Sequence, residues 1–272
     1  MTRIAVVQFP GSNCEVETAA ALRAAGAEPV IARWNTPRSH WEAFDGYVLP
    51  GGFSYEDRIR AGAVAARHTV LDAIAAAADA GKPVLGVCNG AQILVEAGLV
   101  PGIEPGHVEV ALARNAAPGW RGYFCGWVHV HVESTRATPD LATSQTLPLS
   151  VGHGEGRFAA RPEVFEDLAR RGQVAFRYVD PAGRPAHGFP ENPNGSPQDI
   201  AGLCDPTGLI VALMPHPERA AWLYQVPEET PGAWGSRRRE ASSMQALQGP
   251  GPGSVIYRSF VLRATKPRGR SA

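Results

Sequence analysis

Cys88 sits between Gly86 and Gly90 in the stretch VLGVCNGAQ, where an apolar run passes directly into a helical pattern. A buried strand that turns at once into a helix lifts its hinge residue above the sheet edge, and the flanking glycines give the backbone room for that turn. The positive end of the helix favours an anion there, which prepares a thiol to act as a nucleophile. Such a nucleophile needs a base. His216 lies in MPHPER, stiffened by Pro215 and Pro217, immediately after the apolar GLIVAL. Glu218, two residues on, points to the same side of an extended backbone and would hold one ring nitrogen while the other takes the thiol proton. Pro50-Gly51-Gly52-Phe53 follows the strand-like DGYVL. If that strand neighbours the one ending at Cys88, the N–H groups of Gly52 and Asn89 converge on one developing oxyanion. Each feature alone has a plainer explanation: a buried structural cysteine, a surface histidine in a Pro-rich turn, an ordinary strand-to-helix loop. Together they supply nucleophile, base, orienter and oxyanion donors, the parts of an acyl-transfer site.

The elements that must position these groups alternate in the first third of the chain. RIAVVQF, PVIAR, DGYVL and KPVLGVC read as strands. Between them, CEVETAAALRAAG reads as a helix with Ser12 or Asn13 as N-cap, residues 58–80 as an Ala-rich helix broken near Gly62 or His68, and NGAQILVEAG as a helix that starts right after Cys88. This rhythm implies a parallel sheet covered on both faces, with ligands beyond the C-terminal strand ends. The middle is β-rich: VEVALAR, the alternating CGWVHVHVE and TLPLSVG predict a peripheral antiparallel extension. DIAGLCD and GLIVALM read as a hairpin pair around Pro206-Thr207-Gly208. Residues 225–253 carry many Pro, Gly, Ser and charged residues without periodicity, which predicts a long exposed loop. Residues 254–265 are apolar enough to dock back as helix or strand, and 266–272 form a basic, frayed tail. The expected organisation is one α/β domain over 1–265, a flavodoxin-like mostly parallel sheet with helices on both faces.

Composition narrows the function classes. The chain has 272 residues, enough to bury a core without staples. Lys+Arg and Asp+Glu are 26 each, a balance that speaks against a dedicated nucleic-acid binder. No stretch reaches the ~20 apolar residues of a membrane span. The four cysteines, Cys14, Cys88, Cys125 and Cys204, are far apart and show no zinc-ligand spacing with histidine, so no metal is expected. Without a secretion signal at the N-terminus, the expectation is a cytoplasmic, reduced setting with free thiols.

GVCNGAQ resembles the Cys-x-Gly-x-Gln signature of class I, triad-type glutamine amidotransferases, and PHPE resembles their His-x-Glu signature. FPGSNC (9–14), PGGFSYEDRIRAGA (50–63), HGEGRF (153–158) and NPNGS (192–196) narrow the resemblance to the glutaminase subunits that serve purine synthesis. It spans roughly residues 3–222. The resemblance implies that Cys88 attacks the glutamine side-chain amide to form a thioester. His216 and Glu218 act as base and orienter, and Gly52 and Asn89 supply the oxyanion hole. Gly51, Gln92, His153 and Glu155 are implied to contact substrate. It also implies that ammonia passes to a separate large synthetase subunit, assisted by a small accessory subunit, with ATP and Mg on the synthetase and no cofactor in this chain. The chain carries no P-loop pattern of its own. Residues 55–60 and the PGSNC stretch are candidates for the face toward that partner. Ala91 stands where many relatives carry a bulkier side chain. A different cysteine hydrolase on a similar sheet would be expected to place a histidine soon after Cys88, and none occurs before His107.

Overall fold

The computed structural model describes residues 1–104, 106–133, 136–137, 141 and 146–265; the expected tail at 266–272 lies outside the described residues. Nine strands form one sheet: β1 (Arg3–Gln8), β2 (Glu28–Arg33), β3 (Gly46–Leu49), β4 (Val84–Val87), β5 (Phe124–Val132), β6 (Thr146–His153), β7 (Val174–Val179), β8 (Ile200–Cys204) and β9 (Ile210–Leu213). Their spatial order is β2-β1-β3-β4-β9-β8-β7-β5-β6. The first five are parallel, in the flavodoxin-like 2-1-3-4-5 order, and the remaining pairings are antiparallel.

The central strands read as unbroken apolar runs because both faces are covered. Every residue of β3, β4, β8 and β9 is buried. The connections β1→β2 and β3→β4 run in opposite directions across the sheet. Right-handed crossovers therefore put α1 (Glu15–Ala24) on one face and α2 (Val70–Asp79) on the other. The C-terminal segment 254–265, ambiguous in sequence, is a helix that packs on α1. In β5 the alternation shows directly: Val128, Val130 and Val132 are buried, while His129 and His131 are half-buried.

The antiparallel extension expected at the periphery joins the main sheet through β8 and ends it at the edge strand β6. The sheet then curls, so that Ser150 of β6 pairs with His216, just beyond β9, through His216 N–H donating to the Ser150 carbonyl at 2.8 Å. Residues 225–253 are not one loop. Gly232–Glu240 and Met244–Leu247 are helical, although many side chains in the segment are exposed. Of the Ala-rich stretch 58–80, α-helix begins only at Val70. Before it, Tyr55, Glu56, Asp57 and Ile59 adopt left-handed backbone angles, a conformation that side chains other than glycine resist. Cys14, not Ser12 or Asn13, is the N-cap of α1.

Candidate active site

The loops after β1, β3, β4 and β9 meet at the C-terminal edge of the parallel sheet. Cys88 is the hinge between β4 and α3 (Asn89–Glu96), with φ 50° and ψ −106°. A non-glycine residue held there stores local strain, the signature of a nucleophile turn. Its neighbours explain how the chain tolerates the turn. A Cβ on Gly90 would lie 1.9 Å from the Leu49 carbonyl oxygen, and one on Gly86 would lie 2.6 Å from the Gly90 carbonyl oxygen. The first turn of α3 can therefore press against the strands only because these positions lack side chains. The Cys88 thiol is 3.7 Å from the Gly152 carbonyl of β6, to which it donates.

The ladder between β4 and β9 carries His216 toward Cys88. Val87 pairs with Leu213, and Cys88 N–H donates to the Leu213 carbonyl at 2.8 Å. His216 follows three residues later in extended conformation, and Pro217 opens a 3-10 turn through Ala220 that swings Glu218 back under the ring. His216 Nδ1 and Glu218 Oε1 are 2.5 Å apart, both fully buried. The Tyr257 hydroxyl donates to the other Glu218 oxygen at 3.3 Å. Burial alone would push the imidazole pKa down. The Glu218 carboxylate first, then Cys88 and Cys14, outweigh it and hold His216 well above the ordinary value. With Nδ1 committed to Glu218, Nε2 is the nitrogen left for the thiol proton.

The loop after β3 is held by a second segment. Gly52 has φ 151° and bridges Ser12, and a Cβ there would lie 2.7 Å from Ser12 Cα. Asn13 and Cys14 N–H groups both reach the Gly51 carbonyl at 3.3 Å, so PGSNC braces PGGF from behind. Gly51 packs against the base: a Cβ would fall 2.6 Å from His216 Cε1. Asn89 is the first residue of α3, where a backbone N–H has no intrahelical acceptor. Its side chain accepts from Ser54 N–H at 3.1 Å and donates to Gln92 Oε1 at 2.9 Å.

These loops surround a cavity of about 800 Å³ lined by Gly52, Asp57, Cys88, Gln92, His153 and Glu155, among others. Gln92 Nε2 donates to the Glu155 carbonyl at 2.6 Å. Glu155 accepts from Ala61 N–H at 3.1 Å and lies 3.7 Å from Arg114. His153 is buried, and burial followed by the charge of His216 pushes its pKa down to about 3, so the ring is neutral. Its tautomer follows from its neighbours. Asn115 donates its amide hydrogens to the Gly122 and His153 carbonyls, so its Oδ1 is an acceptor, and His153 Nδ1 must donate to it at 3.2 Å. Nε2 is then an acceptor, buried and without a hydrogen-bond partner among the described residues. A ligand N–H would satisfy it.

Sequence reasoning missed several lining residues: Asp57, Arg114, Asn115, Arg121, Tyr123 and Arg157. Burial, then the nearby Glu155 carboxylate, pushes the Asp57 pKa up to about 6. Nothing local in the sequence marks Asp57, because only the left-handed backbone of its segment turns it inward. Ala91 is wholly buried in α3.

Residues 1–247 match the model of the CobB/CobQ-like glutamine amidotransferase domain. The chain is 40% identical over 266 residues to phosphoribosylformylglycinamidine synthase subunit PurQ of Methanothrix thermoacetophila, a match covering 95% of this chain and 96% of the relative. It is 46% identical over 220 residues to the subunit of the same name from Thermomicrobium roseum, covering 80% and 87%. A chain in the structure of PurLQS from Thermotoga maritima superposes with a TM-score of 0.70 and 30% identity, covering 96% of this chain and 98% of that one.

Proposed function

Since the chain belongs to the CobB/CobQ-like glutamine amidotransferase family, we infer that it is the glutaminase subunit of phosphoribosylformylglycinamidine synthase. It hydrolyses glutamine to glutamate and ammonia and passes the ammonia to an ATP-dependent synthetase in purine biosynthesis. Its partners are the large synthetase subunit and the small accessory subunit. ATP and Mg act on the synthetase, and this chain brings no cofactor to the reaction. No helix among the described residues is long and apolar enough to cross a membrane; the cytoplasm, where this pathway's substrates are, is the setting this reading assigns.

The observation that carries the reading is the strained Cys88 turn facing a buried His216–Glu218 pair across one sheet edge. The Cys88 thiol first gives its proton to His216 Nε2, forming the thiolate–imidazolium pair that the raised His216 pKa favours, and the sulfur then attacks the side-chain amide carbon of glutamine. Negative charge develops on the amide oxygen, which the N–H groups of Gly52 and Asn89 stabilise. Collapse breaks the C–N bond, and His216 protonates the departing nitrogen, leaving a γ-glutamyl thioester and ammonia. A water deprotonated by His216 then releases glutamate and restores the thiol.

His153 Nε2, an acceptor, suits an N–H of the substrate. Asp57 and Glu155 suit its α-ammonium, and Gln92 suits its amino-acid end. Because Asp57 holds the cation only when ionised, the KM for glutamine is expected to rise as pH falls through about 6. Asp57→Asn is expected to raise KM at neutral pH roughly tenfold, in line with loss of one charge-assisted contact, and to remove that acid limb. An unchanged KM in the variant would remove Asp57 from the site.

The reading as a whole is tested by labelling with a diazo-ketone analogue of glutamine and mapping the modified peptide. Label confined to the Cys88 peptide, and blocked by glutamine, is the expected result. Label on Cys14, Cys125 or Cys204 instead would overturn it.

A further inference from the structure

Cys14 is a buried thiol that the hydrolytic cycle leaves unused. Its Sγ lies 4.0 Å from His216 Nδ1, on the opposite side of the ring from the nitrogen that serves Cys88. Cys14 Sγ, His216 Nδ1 and a Glu218 carboxylate oxygen all lie within 4.8 Å of one another. Cys14 lies 202 residues before His216 in sequence, so no ligand spacing could reveal the cluster. It forms because PGSNC braces the oxyanion loop directly behind the base.

We propose that Cys14, His216 and Glu218 form an inhibitory site for a thiophilic divalent cation of the zinc type. It rests on the glutaminase reading only for its effect on catalysis, not for the binding itself. One thiolate, one imidazole and one carboxylate are a ligand set that zinc favours, with bonds of about 2.3 Å to sulfur and about 2.0–2.2 Å to nitrogen and oxygen. Sulfur and nitrogen draw together slightly from 4.0 Å, and the carboxylate backs away from its 2.5 Å contact. Asn13 Oδ1, 3.1 Å from the Cys14 sulfur, or a water completes the shell. Arg219 donates to the same sulfur at 3.2 Å. Its side chain is 39% exposed and also lies 3.8 Å from Glu17, so it can turn outward as the ion enters.

The inhibition follows from proton positions. On binding, the Cys14 thiol proton leaves to solvent, and the imidazole proton shifts from Nδ1, now bonded to metal, to Nε2. Nε2 then carries hydrogen and has no lone pair to receive the Cys88 proton. The ion silences the base without touching the nucleophile or filling the glutamine cavity.

The test uses Co2+ as a spectroscopic probe and Zn2+ as inhibitor on the full chain. Wild type and Cys88→Ala are both expected to give a thiolate-to-cobalt charge-transfer band at one equivalent, displaced by Zn2+. Cys14→Ser is expected to lose the band and, relative to its own zinc-free rate, to need at least ~10-fold more Zn2+ for inhibition, since loss of even an outer-shell partner costs about that much affinity. X-ray absorption at the zinc edge on Cys88→Ala, expected to show one sulfur neighbour, covers the case in which Cys14→Ser does not fold. A band that persists without Cys14, that disappears without Cys88, or that never forms overturns the site. Because the band is read without turnover, failure of the metal site and failure of the glutaminase reading give different results.

Discussion

Replacing Cys88 with alanine is expected to lower kcat for glutamine hydrolysis by roughly six orders of magnitude, the scale seen when a covalent nucleophile is removed from a triad. The chemistry has no substitute: the other thiol near the base, Cys14, faces Nδ1 and lies outside the cavity lining. The fold is expected to survive. Alanine meets the same φ of 50° with the same Cβ, and the loss is confined to the sulfur's contacts with the Gly152 carbonyl and with His216. The synthetase complex carrying the variant should therefore still form product when ammonium is supplied directly, while glutamine-driven synthesis is lost. Residual hydrolysis above about one part in a hundred of wild type would mean that the thioester route is not the main one. Loss of ammonium-driven synthesis as well would point to a broken complex, not a missing nucleophile.

Glu218→Gln is expected to cost roughly 10³- to 10⁴-fold in kcat, because the orienting carboxylate selects the tautomer that leaves Nε2 free. Glutamine is nearly isosteric, so the effect is electronic. If its amide nitrogen faces His216, the ring is forced to carry its proton on the nitrogen that should act as base. The same change has a signature in stability. Burial lowers the His216 pKa, but Glu218 and then the thiols raise it above the ordinary value near 6.5. A histidine with a raised folded-state pKa contributes stability that is complete below the unfolded value and fades as pH climbs through the folded one. The melting-temperature gap between wild type and Glu218→Gln is expected to be widest near about pH 6 and to narrow at alkaline pH. A gap that widens with pH would show that His216 is not held charged by this partner.

The Cys88 turn was legible because its cause is local: an apolar run, two glycines and an immediate helix fit within nine residues. His216 and Glu218 were legible for the same reason, and the pairing of β3 with β4 and of β4 with β9 then brings the three loops together. What could not be read depends on distant partners. The alternation in β5 shows that one face is buried, but not that β7 lies beside it and continues the main sheet. Residues 58–80 look helical by composition, yet contacts of the segment before them to Pro10, Gly11 and Asn89 lead the chain in through left-handed turns. That displacement is also why Asp57 escaped notice. The helix Gly232–Glu240 was hidden because it is polar nearly all round and contains Gly235, so it shows no apolar stripe. Its order comes instead from contacts such as Arg237 over Trp234 and Arg238 with Glu228.

The β4–β9 register has a consequence for how such a chain can change length. Cys88 and His216 are indexed to each other through Val87 opposite Leu213 and the bond from Cys88 N–H to the Leu213 carbonyl. Adding a residue between β4 and Cys88, or adding or deleting one between β9 and His216, shifts one partner by about 3.3 Å and reverses the face its side chain presents. No substitution elsewhere repairs that offset. Length variation is therefore confined to segments that leave the ladder and return to it. The excursion from α3 through β8 can lengthen or shorten in its loops, but the few residues joining each strand to its reacting group form a fixed ruler.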